Sequence, residues 1–411
     1  MLRWPTLFCV LALAARAEDW PQFRGPAGQG VSSERGLPLQ WSDARNIRWR
    51  TMIPGRGWSS PAVAGDRVWV TTATEPEGLA GVLNVLLRGR SLRAIALDRE
   101  TGQIVHNVEV FRLSDAGAMH AKNSHASPTP VIDGDRVYVH FGAHGTAALT
   151  SRGQIVWKTR LAYDHMHGTG GSPVVYGDLL IVACDGADVQ FVAALDKRTG
   201  EVRWKAPRRS YMAFSTPLVV RAGDRDQVIS TGAYRAVSYD PASGKEIWSV
   251  SYGDGFSNVP RPVFGHGLFY LCTGFNQAEL LAVRAGGSGD VTRTHIAWRE
   301  KRSISLTPSP LVAGDELYVI SDNGIASCFD ARTGKVHWRE RLAGSFTASP
   351  VYADGRIYFL NEEGETTVIE PGKTFRKLAV NRLDGETLGS MAVAGGSLFI
   401  RTASHVYRIA Q

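Results

Sequence analysis

Residues 194–204 read ALDKRTGEVRW, and the phrase returns along the chain in worn copies. ALDRETGQIVH occupies 96–106, ALTSRGQIVW 148–157, SYDPASGKEIW 238–248 and CFDARTGKVHW 328–338. Each copy is a short apolar run, an Asp or its equivalent, a turn closed by Gly, and a second run that usually ends in Trp. In such a turn the Asp carboxylate can bond the turn backbone, and Gly takes the left-handed position that closes a bulged hairpin. Self-similarity at a fixed period decides the fold before any single residue does.

A second signature precedes each phrase. It is a Pro, a β-branched run, a Gly/Asp turn and an alternating strand, as in SPAVAGDRVWVTTA from Ser60 and SPVVYGDLLIVACDG from Ser172. These prolines stand at 61, 130, 173, 217, 262, 310 and 350, and an eighth copy, SMAVAGGSLFIRTA from Ser390, lacks the Pro. Two strands precede the ALD run and two are built from it, so each unit holds four short antiparallel strands, the signature of a propeller blade. The expected fold is all-β: one eight-bladed β-propeller of four-stranded antiparallel blades spanning 18–411. The last unit runs out after its third strand, and NIRWRT at 46–51 matches EVRWKA. The N-terminal strand is therefore expected to complete the last blade and close the ring. Trp49, Trp157, Trp204, Trp248, Trp298 and Trp338 then share one position on the outer strand, where a large ring can dock on the neighbouring blade. His106 takes that place in blade one, and the stretch Lys373–Arg376 is expected to take it in blade seven.

MLRWPTLFCVLALAARA, 1–17, reads as a cleavable signal peptide: Arg3, an apolar stretch, then a small-x-small site before Glu18. The expected location is periplasmic or secreted, with no lipidation cysteine at the mature start. Removing Arg3 and Arg16 lowers the formal charge from +7 to +5. No basic block with interleaved aromatics stands out, so nucleic acid is not an expected partner. Cys184, Cys272 and Cys328 remain, an odd number inside apolar runs, which reads as buried thiols and not a disulfide framework. GLAGVLNVLLRGRSLR, 78–93, has apolar residues at helical spacing and arginines behind. It reads as a short amphipathic helix packed on the propeller rim, with a docking or membrane-surface helix outside the ring as the alternative. RAGGSGDVTRT, 284–294, reads as a long hairpin loop in blade five.

The repeated AxD-x-x-TG-x-x-x-W phrase resembles the tryptophan-docking motif of the PQQ-like (quinoprotein alcohol dehydrogenase-like) β-propeller superfamily. DWPQFRGP at 19–26, FSTPLV at 214–219 and FSNVPRPV at 256–263 look like the secreted bacterial proteins labelled BamB-like. The resemblance implies an extracytoplasmic scaffold or ligand-binding propeller whose partners are other extracytoplasmic proteins or a small polar ligand. For the quinoprotein branch it implies pyrroloquinoline quinone, a Ca²⁺ ion and two adjacent cysteines. The cysteines here lie at 9, 184, 272 and 328, none adjacent, so the quinone is suggested by the family name alone.

In a propeller the loops leading into the innermost strands meet at one mouth of the channel. They bring His120, Asn123 and His125 from blade two, His165 and His167 from blade three, Tyr211 from blade four, and Asn258 and Arg261 from blade five. These eight are the candidate ligand-binding residues. Imidazoles and amides suit a sugar, an anion or a transition metal. No catalytic residue stands out, and the main expectation is a binding propeller. The alternative is a quinone- or metal-dependent oxidoreductase working at the same mouth.

Overall fold

The computed structural model describes residues 18–75, 90–114, 117, 119–276 and 278–411. Eight blades of four antiparallel strands form the ring; six take them from consecutive strands, the fifth is interrupted by a two-residue strand that joins the fourth, and the eighth borrows one from the N-terminus. Blade three shows the plan: Val174–Tyr176, Leu179–Asp185, Gln190–Asp196 and Val202–Pro207. Its middle strands are almost wholly buried because neighbouring blades cover both faces, whereas the last strand is largely exposed. The eighth blade pairs Ile47–Met52 antiparallel with His405–Ile409, so the ring closes as the sequence implies.

The TG turn and the Trp are two halves of one contact. Asp196 Oδ1 accepts the N–H groups of Arg198 and Thr199, and Gly200 N–H returns to the Asp196 carbonyl. Gly200 has φ +79°, and a Cβ there would lie 2.5 Å from the Trp157 ring of the preceding blade. The Trp157 indole N–H donates to Lys197 O at 3.1 Å. Trp49, Trp204, Trp298 and Trp338 donate likewise to Arg99, Pro241, Ala331 and Gly372 of the next blade. Trp248 departs from the pattern: it is fully buried and donates to Gln227 Oε1 inside its own blade. The reason is the segment 284–294. Instead of a free loop it carries Gly289–Asp290, which pairs in parallel with Trp248 and Ser249 and makes a fifth strand on blade four.

Register also corrects the reading of blade seven. Trp338 faces Cys328 immediately before a bulge, and the equivalent place in blade seven faces Val368 and is held by Ala379, not by Lys373–Arg376. The space a Trp would fill there is covered from the N-terminus, where Trp41 N–H binds Asn381 Oδ1 and Trp41 is 4% exposed. Of the segment 78–93, residues 78–89 lie outside the described residues, and Arg90–Arg93 open a strand, Arg90–Asp98, not a helix. Residues 1–17, read above as a signal peptide, also lie outside them.

DWPQFRGPAGQG, 19–30, closes one end of the channel. Trp20 exchanges both backbone bonds with Val63 of blade one, and Pro21 O accepts Ile132 N–H of blade two. Gln29 Oε1 accepts Phe264 N–H of blade five, and Gly30 O accepts Tyr352 N–H of blade seven. The Arg24 guanidinium donates to Pro310 O and Pro350 O of blades six and seven. Arg261 of blade five reaches in to Phe23 O at 2.6 Å. Gly28 and Gly30 make this crossing possible, because a Cβ on either would meet the Arg261 or Arg24 guanidinium at 2.4 and 2.6 Å.

Candidate binding well at the channel mouth

The residue before each strand-opening Pro is Ser or Thr in six of the seven Pro-led units, and these residues stitch the blades around the axis. Ser60 N–H donates to Thr129 Oγ1, Thr129 N–H to Ser172 Oγ and Ser172 N–H to Thr216 Oγ1. Ser309 N–H donates to Ser349 Oγ, Ser349 N–H to Ser390 Oγ and Ser390 N–H back to Ser60 Oγ. Blade five puts Arg261 at this position. Its N–H still donates to Ser309 Oγ, but it offers no hydroxyl to Thr216. A girdle of hydroxyls results, one to a blade except at Arg261.

The girdle surrounds a cavity of about 480 Å³ on the channel axis. Phe23 of the N-terminal plug lines it, so the well is blind at that end. Phe214, Phe256, Phe275, Leu306 and Leu388 supply apolar wall, and Trp58 stands beside them. Of the eight sequence candidates, His120, Asn123 and His167 line the cavity. They are tied together: His120 N–H and Asn123 Nδ2 both donate to His167 O, and the two imidazoles meet edge-on at 6.1 Å.

The other five do not reach the lining. Asn258 is fully buried and donates to Tyr252 Oη and Cys272 O, so it braces blade five. Arg261 lies against the plug, and Tyr211 packs against Phe256. His165 and His167 separate because their segment turns instead of running extended. His167 faces the cavity, while His165 packs edge-on against His144 at 4.5 Å. His125 lies on the other side of His144 at 5.7 Å. The sequence reading had missed the girdle itself, the Phe23 floor and the aromatic wall. The repeated Ser/Thr before Pro was the one visible signal for them.

His125 and, nearby, His140 are buried, while His144 and His165 are partly buried. Burial holds His125 down at about 4, helped by Arg90 and His165, and holds His140 down at about 3, helped by His165. Burial also lowers His165, against the pull of Asp164. His165 Nδ1 accepts Ala143 N–H, and His140 Nδ1 bonds Thr146 Oγ1. Among the described residues no three His, Cys, Asp or Glu side chains converge as a metal-ligand set. The consequence is acid sensitivity. Between the ordinary histidine value near 6.5 and about 4, the unfolded chain binds protons that the folded chain refuses, so stability falls as pH falls. The slope expected is about 1.4 kcal/mol per pH unit for each such histidine. Thermal melts from pH 7.5 to 4 check this. His140→Gln should flatten the profile, and an unchanged slope in that variant would remove His140 from the explanation.

The sequence profile described as outer membrane protein assembly factor BamB matches residues 31–165, 93–340 and 290–404. Outer membrane protein assembly factor BamB of Burkholderia pseudomallei is 26% identical over 232 residues, 52% of this chain. The chain spans about half, 55%, of that protein's length. BamB from Moraxella catarrhalis superposes with a TM-score of 0.60 at 14% identity, covering 88% of this chain and 99% of that one. Quinohemoprotein alcohol dehydrogenase from Comamonas testosteroni gives 0.70 at 11% identity, covering 97% of this chain and 81% of that one. These structural likenesses speak for the fold.

The dehydrogenase raises the question of a quinone held beside a metal ion. The residues at the well do not fit one. A Ca²⁺ ion takes 6–8 oxygen ligands, several of them carboxylates. Among the described residues the lining offers one carboxylate, Asp322, and its Oδ2 already accepts Leu306 N–H at 2.7 Å. Cys184, Cys272 and Cys328 are free, buried and set in three different blades.

Proposed function

The chain belongs to the PQQ-like β-propeller family described as outer membrane protein assembly factor BamB, and from that membership we propose that it is an extracytoplasmic recognition propeller. It holds a partner polypeptide of the cell envelope at the open mouth and performs no chemistry on it. One observation carries this reading: the channel is a blind well whose lining consists of binding groups. Hydroxyls, an amide, two imidazoles and an arc of aromatic rings surround it, while the single carboxylate is occupied by backbone N–H groups. The names of the curated relative and of one structural neighbour, both assembly factors, support a protein partner. The leader-like segment 1–17 supports an address outside the cytoplasm.

The rim offers the test. Phe275 is 56% exposed at the mouth, and Val202 is 47% exposed on the outer strand of blade three. Native mass spectrometry of residues 18–411, purified from the envelope of the producing cell, should show a polypeptide added to the chain. Phe275→Asp should remove that mass and Val202→Asp should keep it. A small-molecule increment in place of a polypeptide would overturn the reading, as would a polypeptide that survives Phe275→Asp and leaves with Val202→Asp.

A further inference from the structure

Resting on that reading of the mouth, we propose that the well receives the C-terminal carboxylate of a polypeptide whose last residue is apolar. The carboxylate lies against the hydroxyl girdle and the side chain against the aromatic wall.

The girdle hydroxyls are in donor surplus, and the carboxylate that lines the well, Asp322, is turned to the Leu306 and Thr307 N–H groups. Ser60, Thr129, Ser172, Thr216 and Ser390 each accept a backbone N–H. Each therefore keeps its own proton to give. Among the described girdle residues only Ser349 gives its proton to another girdle atom, Ser309 Oγ. At the plug, Arg24 and Arg261 are each 1% exposed. Their acceptors are the carbonyls of Gln29, Pro310, Pro350 and Phe23, and among the described residues neither forms an ion pair with a carboxylate. Burial and the neighbouring Arg261 push Arg24 down to about 9, and burial alone does the same to Arg261. Among the described residues the Trp58 indole N–H, which lines the well, and the two Nε atoms, which lie at the plug outside the lining, are buried without an acceptor. A buried donor left unmatched costs about 1–3 kcal/mol. A site with surplus donors and two buried cations beside it favours an occupant that is negative and rich in acceptors.

Shape supplies the rest. Phe214, Phe256, Leu306 and Leu388 line the wall and suit an apolar side chain. A volume of about 480 Å³ lies within the range of compact ligands. Because Phe23 blocks the far end, the well takes an end of a chain and not its middle. The exposed Phe275 at the rim gives the preceding residues an apolar ledge.

Calorimetry on residues 18–411 tests this with three probes: N-acetyl-tetraglycyl-phenylalanine as the free acid, the same peptide as its C-terminal amide, and N-acetylphenylalanine. The acid should bind roughly 10–100-fold more tightly than the amide, the loss of charged hydrogen bonds. Thr129→Val and Thr216→Val should reduce that preference, and Thr129→Ser should restore it. Phe275→Ala, at a side chain that is 56% exposed, should weaken acid and amide alike; this keeps the test open if the Val variants unfold. Equal affinity for acid and amide, or binding of neither, overturns the proposal. N-acetylphenylalanine binding as tightly as the peptide acid also overturns it, in favour of a free organic acid. None of these failures touches the mouth as a docking face, which Phe275→Asp tests independently.

Discussion

Trp157→Ala should cost about 3–5 kcal/mol, because the ring is 8% exposed and holds two blades together. The indole closes over Gly200 of the next blade and donates to Lys197 O. The same contact can be broken from the other side. Gly200→Ala puts a Cβ 2.5 Å from the ring at φ +79°, combining backbone strain with overpacking, roughly 2–4 kcal/mol together. Since both changes remove one contact, the double variant should be markedly less unstable than the sum. Chemical denaturation of the two single variants and the double gives the coupling directly. Additive losses would mean that Trp157 and Gly200 act separately, and the docking account would fail. Trp248→Ala makes a useful contrast. Its partners are Gln227 and the Gly289–Asp290 strand, so it should couple to Gln227 and not to a glycine in blade five.

The ring was legible in the sequence because every blade solves the same local problem with the same residues. An Asp-capped turn, a Gly with positive φ and a Trp that needs the missing Cβ leave a mark each time they recur. The well was less legible. Its floor comes from DWPQFRGPAGQG, which has no period, and its partners are backbone groups of blades one, two, five, six and seven. Nothing in a side-chain pattern records a contact made to a distant carbonyl. His165 and His167 show the same limit at short range. Spacing alone puts them on one side of an extended segment, but a turn sends one to the cavity and the other to His144. Arg261 was readable in hindsight as the one residue that breaks the run of Ser and Thr before Pro. It breaks the run because its side chain is needed at the plug.

Two truncations should separate the ring from the well. A chain beginning at Asn46 keeps Ile47–Met52, and with it the pairing that completes blade eight. It loses Trp20, Leu37 and Trp41, which are at most 4% exposed, together with the Arg24 contacts. Each buried Trp is worth about 3–5 kcal/mol. This chain should fold as a monomer with a much lower melting temperature, and its channel should be open at both ends. A chain beginning at Ile53 also removes the partner of His405–Ile409, and leaves that strand as a bare sheet edge. Unpaired edges recruit other chains, so this one should self-associate or fail to fold. Adding the peptide 46–53 should rescue it by restoring the missing strand. Size-exclusion chromatography and thermal melts read both effects. If the chain from Ile53 stays monomeric and melts with the chain from Asn46, strand closure adds nothing. If the chain from Asn46 binds the peptide acid as tightly as residues 18–411, the plug is dispensable to recognition. The expected pattern is a ring that outlives its floor, because closure depends on six residues of strand and the well depends on a segment that crosses five blades.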